Sequence, residues 1–373
     1  MNIAVNARFL YSEQLEGVHR YIYETTVRMA KAHPEDRFVL FYDRAYSMAL
    51  KYPENVVQVI IPLQTRHPLL WHIWLEYLLP YYFRKYQIDV FYSGDSYMSL
   101  RAKQPTVLVC HDLAYLHYPA HIPFAAKWHY RRFFPKYHRK AAHIIAVSES
   151  TKKDIVQHYQ IGSEKITVGP NAVNESYKVL NPDEKQGVRN RYTDGCPYFI
   201  YLGALHPRKN IIQMIRAFRI FKDQYQSRHK LILAGRLAWK SRDIEAEMAN
   251  NPDITHTGFV AAQEKKLLLG GAEALVYVSL FEGFGIPLLE AMASGVPVIT
   301  SSVSSMPEVA GSAALLVDPN DGDAISEAMY QISHNEHIAQ NLIQEGLKRY
   351  RQFDWNTTAE IIYNRIKAVV HDN

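Results

Sequence analysis

Short apolar runs alternate with amphipathic segments along almost the whole chain. In the first half, amphipathic segments cover residues 18–32, 69–86, 124–141 and 150–159. The apolar runs around them are NIAVNA, RFVLFYD, VVQVIIP, DVFYS, TVLVCHD, HIIAVS and KITVGPN. Runs that are apolar on both faces and joined by helices are typical of a parallel sheet covered on both sides. The pattern therefore predicts a doubly wound α/β domain.

The second half repeats this alternation. Its apolar runs are YFIYLGA, KLILAGR, ITHTGF, ALVYVS, PVITS and AALLVDP, and the tail from about 324 to 370 is helical in pattern. A chain of 373 residues is too long for one ordinary core, and the polar, turn-rich stretch 171–187 is the predicted linker. We predict an α/β fold of two Rossmann-like domains, 1–175 and 176–354, facing across a cleft. Ligands bind such sheets beyond the carboxyl ends of the strands.

The composition is that of an ordinary globular protein. Apolar residues make up 48% and charged residues 21% of the chain, and the net charge is +5 at pH 7. This charge suits an anionic ligand or an acidic membrane surface but is too diffuse to predict nucleic-acid binding. Cys110 and Cys196 form no metal-binding motif and favour a reducing, cytoplasmic setting. We expect neither a signal peptide nor a membrane-spanning segment.

Two cations, Arg208 and Lys209, stand directly before a helical pattern that begins near Ile211. Cations at the amino end of a helix oppose the helix dipole. A bound anion would offset that cost, because Arg offers a fork to two phosphate oxygens and Lys a point charge. On the pair alone, two solvated side chains at a domain entrance are the simpler interpretation.

The stretch LFEGFGIPLLEAMASGVPVI, residues 280–299, places two carboxylates around a glycine-rich turn. Pro287 suits the first turn of a helix, so we predict Glu282 on the preceding loop and Glu290 one turn into the helix. Backbone amides near Gly285 can hold a phosphate. The carboxylates would repel a phosphate and suit sugar hydroxyls instead. The structural alternative for Glu282 is a solvated acid on a loop. For Glu290 it is a carboxylate that stabilises the start of the helix.

Together these motifs resemble a known family. EGFGIPLLEA is similar to the E-x7-E signature of the retaining glycosyltransferases of family 4, also called glycosyltransferase group 1, which have the GT-B fold. Other segments resemble the family in its order: VCHDLAYLHYP, AVSESTKKDI, YLGALHPRKNI, TGFV, ASGVPVITSSVSSMPEVAG and ALLVDPND. The resemblance extends from NARFL to the FDWNTTAEIIYNRI tail. It implies that the last helix, about 355–370, packs back on the first domain.

By resemblance, the second domain binds a nucleotide-diphosphate sugar. Glu290 would bind the ribose hydroxyls, and Glu282 would face the sugar ring. Arg208 and Lys209 would grip the diphosphate, and Gly17 would let the first loop approach the donor phosphate. The remaining donor-binding positions that the resemblance implies are Gly258, Phe259, Val260, Phe284, Gly285 and Ile286.

The same resemblance assigns catalysis to His111 and Glu282. His111 would orient the transferred sugar or stabilise its oxocarbenium-like form, and a hydrogen-bonded structural histidine is the alternative. Asp112 and His19 would face the acceptor. The resemblance implies front-face displacement with retention, in which the leaving diphosphate helps to deprotonate the acceptor, and it implies no required metal or other cofactor.

The function that the resemblance implies is transfer of a sugar to a glycan or lipid-linked glycan, in the synthesis of a surface polysaccharide such as a capsule, an O-antigen or an exopolysaccharide. Two other functions stay open. One is a sugar-nucleotide epimerase or hydrolase on the same fold, which would form product without an acceptor. The other is a catalytically silent nucleotide-sugar-binding subunit, against which the intact set of candidate residues argues.

Two segments, 69–86 and 126–140, are rich in aromatic and basic residues. Both suit an anionic membrane surface, in this case the inner face of the membrane, where a lipid-linked acceptor would be held. Pro80 and Pro135 are expected to break long interfacial helices there. In the first segment, spacing of i, i+3, i+4 and i+7 favours a stripe that faces the core instead: Trp71, Trp74, Leu75 and Leu78. The second segment stays open.

Asp321-Gly322-Asp323 spells a D-x-D sequence, which holds a metal in a different glycosyltransferase fold. Here it follows a strand pattern and precedes a helical one. Acids in that position commonly serve as helix caps, so we predict no metal site.

Overall fold

A computed structural model describes residues 1–13, 15, 17–65, 67–174, 176–238, 242–249 and 251–371. The chain forms two compact domains. The first domain comprises Met1–Asn171 together with Asp354–Asn373, and the second comprises Ala172–Phe353. The boundary predicted from the sequence falls a few residues later, at Glu175, which lies outside the described residues.

The described part of the first domain contains a parallel sheet with the strand order β3-β2-β1-β4-β5-β6-β7. Each apolar run predicted as a strand in this half forms one. The strands are β1 (Asn2–Asn6), β2 (Arg37–Tyr42), β3 (Val56–Ile60), β4 (Val90–Ser93), β5 (Thr106–Cys110), β6 (His143–Ala146) and β7 (Ile166–Val168). The helices among them are α1 (Val18–Ala32), α2 (Pro68–Ile73), α3 (Leu79–Lys85), α4 (Ala114–His117), α5 (Phe124–Lys140) and α6 (Glu149–Tyr159).

The predicted core stripe between α2 and α3 is confirmed. Residues Trp74–Leu78 form a π-helical turn that joins the two helices. Trp74 and Leu75 are fully buried, while Trp71 and Leu78 are partly buried against the same core cluster. Side chains at this spacing lie on one face of a helix, so the stripe follows from the sequence pattern.

The prediction that proline breaks these helices is wrong for α5. Pro135 lies inside α5, which continues to Lys140. An interior proline costs a helix about 3 kcal/mol. Its neighbours Phe134, Tyr137 and His138 are buried, and burial of one large apolar side chain contributes about 1.5–3 kcal/mol. Pro80 lies in the first turn of α3, directly after the π-helical residues, and marks a change of helix type rather than an end.

The described part of the second domain contains a parallel sheet with the order β10-β9-β8-β11-β12-β13. Its strands are β8 (Tyr198–Leu202), β9 (Lys230–Ala234), β10 (Ile254–Gly258), β11 (Ala274–Tyr277), β12 (Val298–Ser301) and β13 (Leu315–Val317). Its helices are α7 (Pro182–Thr193), α8 (Ile211–Tyr225), α9 (Arg242–Met248), α10 (Ala262–Gly270), α11 (Ile286–Ala293), α12 (Met306–Ala310), α13 (Gly322–His334) and α14 (Glu336–Arg349).

The predicted linker is partly helical. Asn181 caps α7, and Glu184 completes a capping box by accepting the backbone N–H of Asn181. The residues Asn-Pro-Asp-Glu look like a turn because they are polar, but Asn, Pro and Glu occupy the capping positions that start a helix. The segment without regular structure is therefore shorter than 171–187.

The last helix, α15 (Trp355–His371), belongs to the first domain. Thr358 donates a hydrogen bond to the Pro170 carbonyl at 2.7 Å, and the Tyr363 hydroxyl donates to Asp36 at 2.6 Å. The Tyr363 ring also stacks on His33. Along the described chain, no helix has both the length and the apolar character that crossing a bilayer requires.

Candidate functional site

The second sheet reverses its strand order between β8 and β11, which pair in parallel. Open α/β sheets bind ligands at such a reversal, beyond the carboxyl ends of the strands. After β8, the 3-10 turn Pro207–Lys209 carries two of the predicted donor-binding cations, Arg208 and Lys209. After β11, the loop that leads to α11 carries Glu282. The reversal therefore brings together residues that are more than seventy positions apart in sequence.

Arg208, Lys209, Tyr277 and Glu282 form a charged cluster at this reversal. The Arg208 guanidinium lies 3.5 Å from Glu282 Oε2 and donates to the Phe281 carbonyl at 2.7 Å. Lys209 Nζ pairs with Glu282 Oε1 and donates to the Tyr277 hydroxyl at 2.9 Å. The Tyr277 hydroxyl in turn donates to Glu282 at 3.0 Å. Each functional group is thus held by at least two partners.

Glu282 is buried and ionised. Burial by itself would raise the pKa of its carboxyl, but the charges of Lys209 and Arg208 prevail and lower the pKa from 4.5 to about 2. Burial and the Glu282 charge raise the pKa of Tyr277 well above 10, so its phenol is neutral. With two cations against one carboxylate, the charged cluster keeps a formal charge of +1, which favours an anionic ligand.

The two solvated interpretations from the sequence are wrong. The side chains of Arg208 and Lys209 are only 20% and 15% exposed, and that of Glu282 is 9% exposed. The cost of placing cations before a helix is offset by this carboxylate from the same domain. Sequence analysis missed Tyr277. Its only signal was a hydroxyl-bearing side chain at the last position of an otherwise apolar strand.

The loop before α11 is held by hydroxyl groups. Ser304 donates to the Glu282 carbonyl at 2.6 Å, and Ser305 donates to the Phe284 carbonyl at 3.0 Å. The loop ends at Gly285, which has φ +100°. A Cβ at this position would lie 2.6 Å from Met306 Cε, so the methionine side chain would have to shift, and the backbone conformation itself requires glycine.

The first turn of α11 has the placement that the sequence predicted. Ile286 and Pro287 open the helix, and no described side chain caps it. The Phe284 side chain is buried and packs against Phe353, with the ring centroids 5.5 Å apart. A ligand contact at Phe284 or Gly285 therefore involves the backbone, whereas the Ile286 side chain is partly exposed. Backbone amides at a helix start favour anions.

Glu290 lies one turn into α11, as predicted, and is buried. Its carboxylate lies 2.7 Å from the ammonium of Lys265 on α10. This lysine was not identified from the sequence, because QEKKLL contains two adjacent lysines and does not show which side chain points toward α11. Gly258 ends β10, and Phe259 and Val260 follow it; β10 is the edge strand, which β9 separates from β8. The Phe259 ring is exposed, with the Arg236 guanidinium 5.6 Å from its centroid.

In the first domain, Gly17 directly precedes α1 and has φ +49° and ψ −116°. Among the described residues, no heavy atom beyond its chain neighbours would lie within 4 Å of a Cβ here. The backbone conformation rather than crowding therefore requires glycine, and the close approach to a donor phosphate that the resemblance implies stays a prediction. His19, in the first turn of α1, stacks on Phe9 with the ring centroids 5.4 Å apart.

His111 follows β5 and is hydrogen-bonded to Gly94, which follows the neighbouring strand β4. Its Nε2 lies 2.7 Å from the Gly94 carbonyl oxygen, and the Tyr21 ring contacts it edge-on at 5.1 Å. Desolvation lowers the pKa of His111, against the opposing effects of the Gly94 carbonyl and Asp112. Because a carbonyl only accepts hydrogen bonds, Nε2 carries the proton, and Nδ1 of the neutral ring is an acceptor. Asp112 accepts the Ala114 N–H at 2.9 Å, at the start of α4.

A buried polar network, missed by sequence analysis, lies where the first sheet reverses between β1 and β4. Arg8 pairs with Asp95 at 3.0 Å, and Asn6 donates to the same carboxylate at 2.8 Å. The Arg8 guanidinium also lies 4.8 Å from the centroid of the Tyr97 ring. The available signal was the polar residues that directly follow two apolar strands, in NARFL and SGDSY.

The predicted helix cap in the D-x-D sequence is confirmed. Asp321 is the N-cap of α13, and its carboxylate accepts the Ala324 N–H at 2.9 Å. This aspartate is therefore explained by local helix chemistry.

Comparison with known proteins covers both domains. The chain matches the family descriptions Glycosyltransferase Family 4 over residues 15–177 and Glycosyl transferases group 1 over residues 183–349. It is 28% identical over 365 residues to the O-antigen chain mannosyltransferase B of Escherichia coli, covering 93% of this chain and 95% of that protein. It is 30% identical over 280 residues to the O-antigen chain mannosyltransferase RfbU of Salmonella typhimurium, covering 74% of each protein.

The fold is also found among solved structures. HepE from Anabaena, crystallised in complex with UDP and glucose, matches with a TM-score of 0.75 and 16% identity, over 98% of this chain and 99% of HepE. This likeness concerns the fold, while the family matches concern the sequence. Together they confirm the resemblance that the E-x7-E stretch carries: the chain is a glycosyltransferase with the GT-B fold and belongs to glycosyltransferase group 1.

Proposed function

We propose that this enzyme transfers a sugar from a nucleotide-diphosphate donor to a hydroxyl of a growing O-antigen or similar surface polysaccharide. The proposed sugar is mannose. Two relatives matched over most of their length are O-antigen mannosyltransferases, which supports both the sugar and the acceptor. The observation that carries the proposal is the charged cluster at the reversal between β8 and β11. It combines a net positive charge with a permanently ionised carboxylate.

In this proposal, Arg208 and Lys209 bind the diphosphate, while Glu282 accepts hydrogen bonds from the sugar. With its pKa near 2, Glu282 does not act as a proton donor at neutral pH. The backbone at Phe284, Gly285 and Ile286 contacts sugar and phosphate groups. Glu290 accepts hydrogen bonds from the ribose hydroxyls, and Gly258, Phe259 and Val260 border the base.

The reaction is proposed to proceed with retention and without a required metal. The cations of the charged cluster stabilise the negative charge that develops on the leaving diphosphate, which is the task a metal ion would otherwise perform. The leaving diphosphate helps to deprotonate the acceptor hydroxyl. His111 orients the sugar through its unprotonated Nδ1, Gly17 allows donor phosphate to approach the start of α1, and Asp112 and His19 face the acceptor.

Thermal-shift measurements with UDP-, GDP- and ADP-sugars test the donor assignment first. We expect one nucleotide class to raise the melting temperature in a concentration-dependent way. The stabilising donor is then incubated with and without a lipid-linked glycan acceptor, and the anomeric configuration of the product is read by NMR. Product formed without an acceptor would instead support an epimerase or hydrolase, and donor binding without any product would support a silent binding subunit.

We further propose that the enzyme works at the cytoplasmic face of an anionic membrane and contacts it through α5. Phe124 and Trp128 on this helix are 84% and 57% exposed, and Arg131 and Arg132 are exposed beside them. Exposed aromatic side chains interspersed with cations suit the headgroup region of an anionic bilayer. This surface would bring the enzyme to a lipid-linked acceptor.

Flotation with vesicles containing anionic lipid tests the membrane contact. We expect the wild-type enzyme to float at low salt and to be released by high salt, because the charge contribution is screened. Trp128→Ala should reduce flotation. The control, Leu316→Ala, removes an exposed apolar side chain from the second domain and should leave flotation unchanged. Wild-type enzyme that stays in the soluble fraction at low salt would contradict the proposal.

A further inference from the structure

A compact group of metal-binding side chains lies in the first domain, apart from the residues assigned to transfer. Within the described residues, His117, Asp154 and His158 bring their ligand atoms within 4.8 Å of one another. His117 Nε2 lies 2.8 Å from Asp154 Oδ2. The His117 and His158 rings are 5.3 Å apart and nearly perpendicular.

The backbone explains why these side chains meet. Asp154 and His158 are four residues apart on α6, so they share one face of the helix. His117 is the last residue of α4. The two histidines are exposed and Asp154 is half-buried, so a solvated cation can reach the group.

The ligand set fits a transition metal better than a hard cation. Zn²⁺ takes imidazole nitrogen and carboxylate oxygen at about 2.0–2.2 Å, usually in tetrahedral geometry, so its ligand atoms lie about 3.3–3.6 Å apart. The observed group brackets this spacing, from 2.8 Å to a limit of 4.8 Å. A bound metal would replace the hydrogen bond between His117 and Asp154. Mg²⁺ prefers oxygen ligands, which two imidazoles do not supply.

We propose that His117, Asp154 and His158 form a Zn²⁺-type transition-metal site that fastens the end of α4 to α6. Three protein ligands leave the fourth tetrahedral position to water, and the bound metal takes no part in group transfer. Because α4 begins three residues after His111, the bound metal restrains the segment that carries this histidine.

Isothermal titration of the full-length, tag-free, chelator-treated protein tests the site. We expect about one Zn²⁺ per chain, an increase in melting temperature with Zn²⁺, and no comparable binding of Mg²⁺. His158→Ala should weaken Zn²⁺ binding by at least about tenfold, and Asp154→Asn should weaken it while conserving shape. His337→Ala removes an exposed helical histidine of the second domain and should leave binding unchanged.

Three results would overturn the proposal. They are the absence of Zn²⁺ binding to the wild-type protein, equal affinity for Mg²⁺, and unchanged Zn²⁺ affinity in His158→Ala. Circular dichroism of each variant separates a lost ligand from a lost fold. Binding is measured directly, so the outcome does not depend on the proposed transferase reaction.

Discussion

The ammonium of Lys265 lies 2.7 Å from the carboxylate of Glu290, and the pair links α10 to α11. Glu290 is buried, whereas the Lys265 side chain is about one third exposed. The lysine compensates the carboxylate charge and restricts its orientation, which leaves carboxylate lone pairs available for further donors such as hydroxyl groups.

Replacement of Glu290 should weaken donor binding. Hydrogen bonds to a charged group contribute about 1.5–3 kcal/mol, so Glu290→Ala should reduce nucleotide affinity roughly ten- to hundredfold in calorimetric titrations. Lys265→Met, the matched control, keeps the carboxylate and should lower thermal stability more than nucleotide affinity. Unchanged affinity in Glu290→Ala would show that the ribose assignment is wrong.

Lys209→Met should lose donor affinity, because it removes one of the two cations that the charged cluster offers to a diphosphate. It also leaves the buried Glu282 paired with Arg208 alone, so the pKa of Glu282 should rise from about 2. The control is Lys230→Met, which breaks an ion pair with Asp253. Lys230 is the first residue of β9, so it lies at the amino end of a strand in the same sheet, whereas the charged cluster lies at the carboxyl ends. We expect at least a tenfold loss of affinity in the first variant only. Equal losses in both would point to stability rather than binding.

His111→Ala should lower kcat by about a hundredfold, the scale of losing one positioned polar group at a developing charge, and should leave donor affinity nearly unchanged. Steady-state kinetics and nucleotide titration separate these quantities. His143→Ala is the control. It also removes a hydrogen-bonded imidazole from the sheet of the first domain, but at the amino end of β6. If both variants lose turnover equally, His111 has only a structural role.

Gly17→Ala should impair the enzyme through backbone strain. The position has φ +49° and open space for a Cβ, and a strained backbone residue costs about 1–3 kcal/mol. Gly187→Ala, inside α7, also meets open space but has no positive φ. We expect it to be stabilising by about 0.5–1 kcal/mol. Chemical denaturation and turnover measurements compare the pair, and a Gly17→Ala enzyme with wild-type stability and rate would contradict the argument.

Stability should fall as the pH drops from about 6.5 to about 4. Burial lowers the pKa of both His129 and His138 to about 4, against about 6.5 in an unfolded chain. Within this window the unfolded state binds more protons, so the contribution is full above pH 6.5 and is lost as the pH falls. His129→Phe should flatten the dependence of melting temperature on pH, because His129 packs among aromatic rings. An unchanged slope would show that His129 does not contribute.

The sheets were the most predictable part of the fold. Buried parallel strands are apolar on both faces, so the central strands stand out from the sequence, and every predicted run forms a strand. The helix start at Asn181 was hidden because capping residues and turn residues are the same amino acids. The course of α5 through Pro135 depended on long-range burial, which local propensity does not contain.

Candidate site residues could be named from their motifs, but their pairings could not. Glu282 was predicted on a loop, yet its burial and its bonds to Arg208 and Lys209 arise only when β8 and β11 become neighbours. Lys265 and Tyr277 belong to no motif and are identified only by their contacts. The role of a side chain could therefore be predicted from the sequence where its partner lies within a few residues, as for the helix cap at Asp321.

The chain leaves the first domain after Asn171 and re-enters it at Asp354, so the second domain is a continuous insert in a discontinuous first domain. The two segments of the first domain are joined by hydrogen bonds such as those of Thr358 and Tyr363. Residues 172–353 can thus be exchanged between relatives as one segment, whereas exchange of the first domain requires two separate segments. Changes within α15 will therefore perturb the first domain, although this helix follows the second domain in sequence.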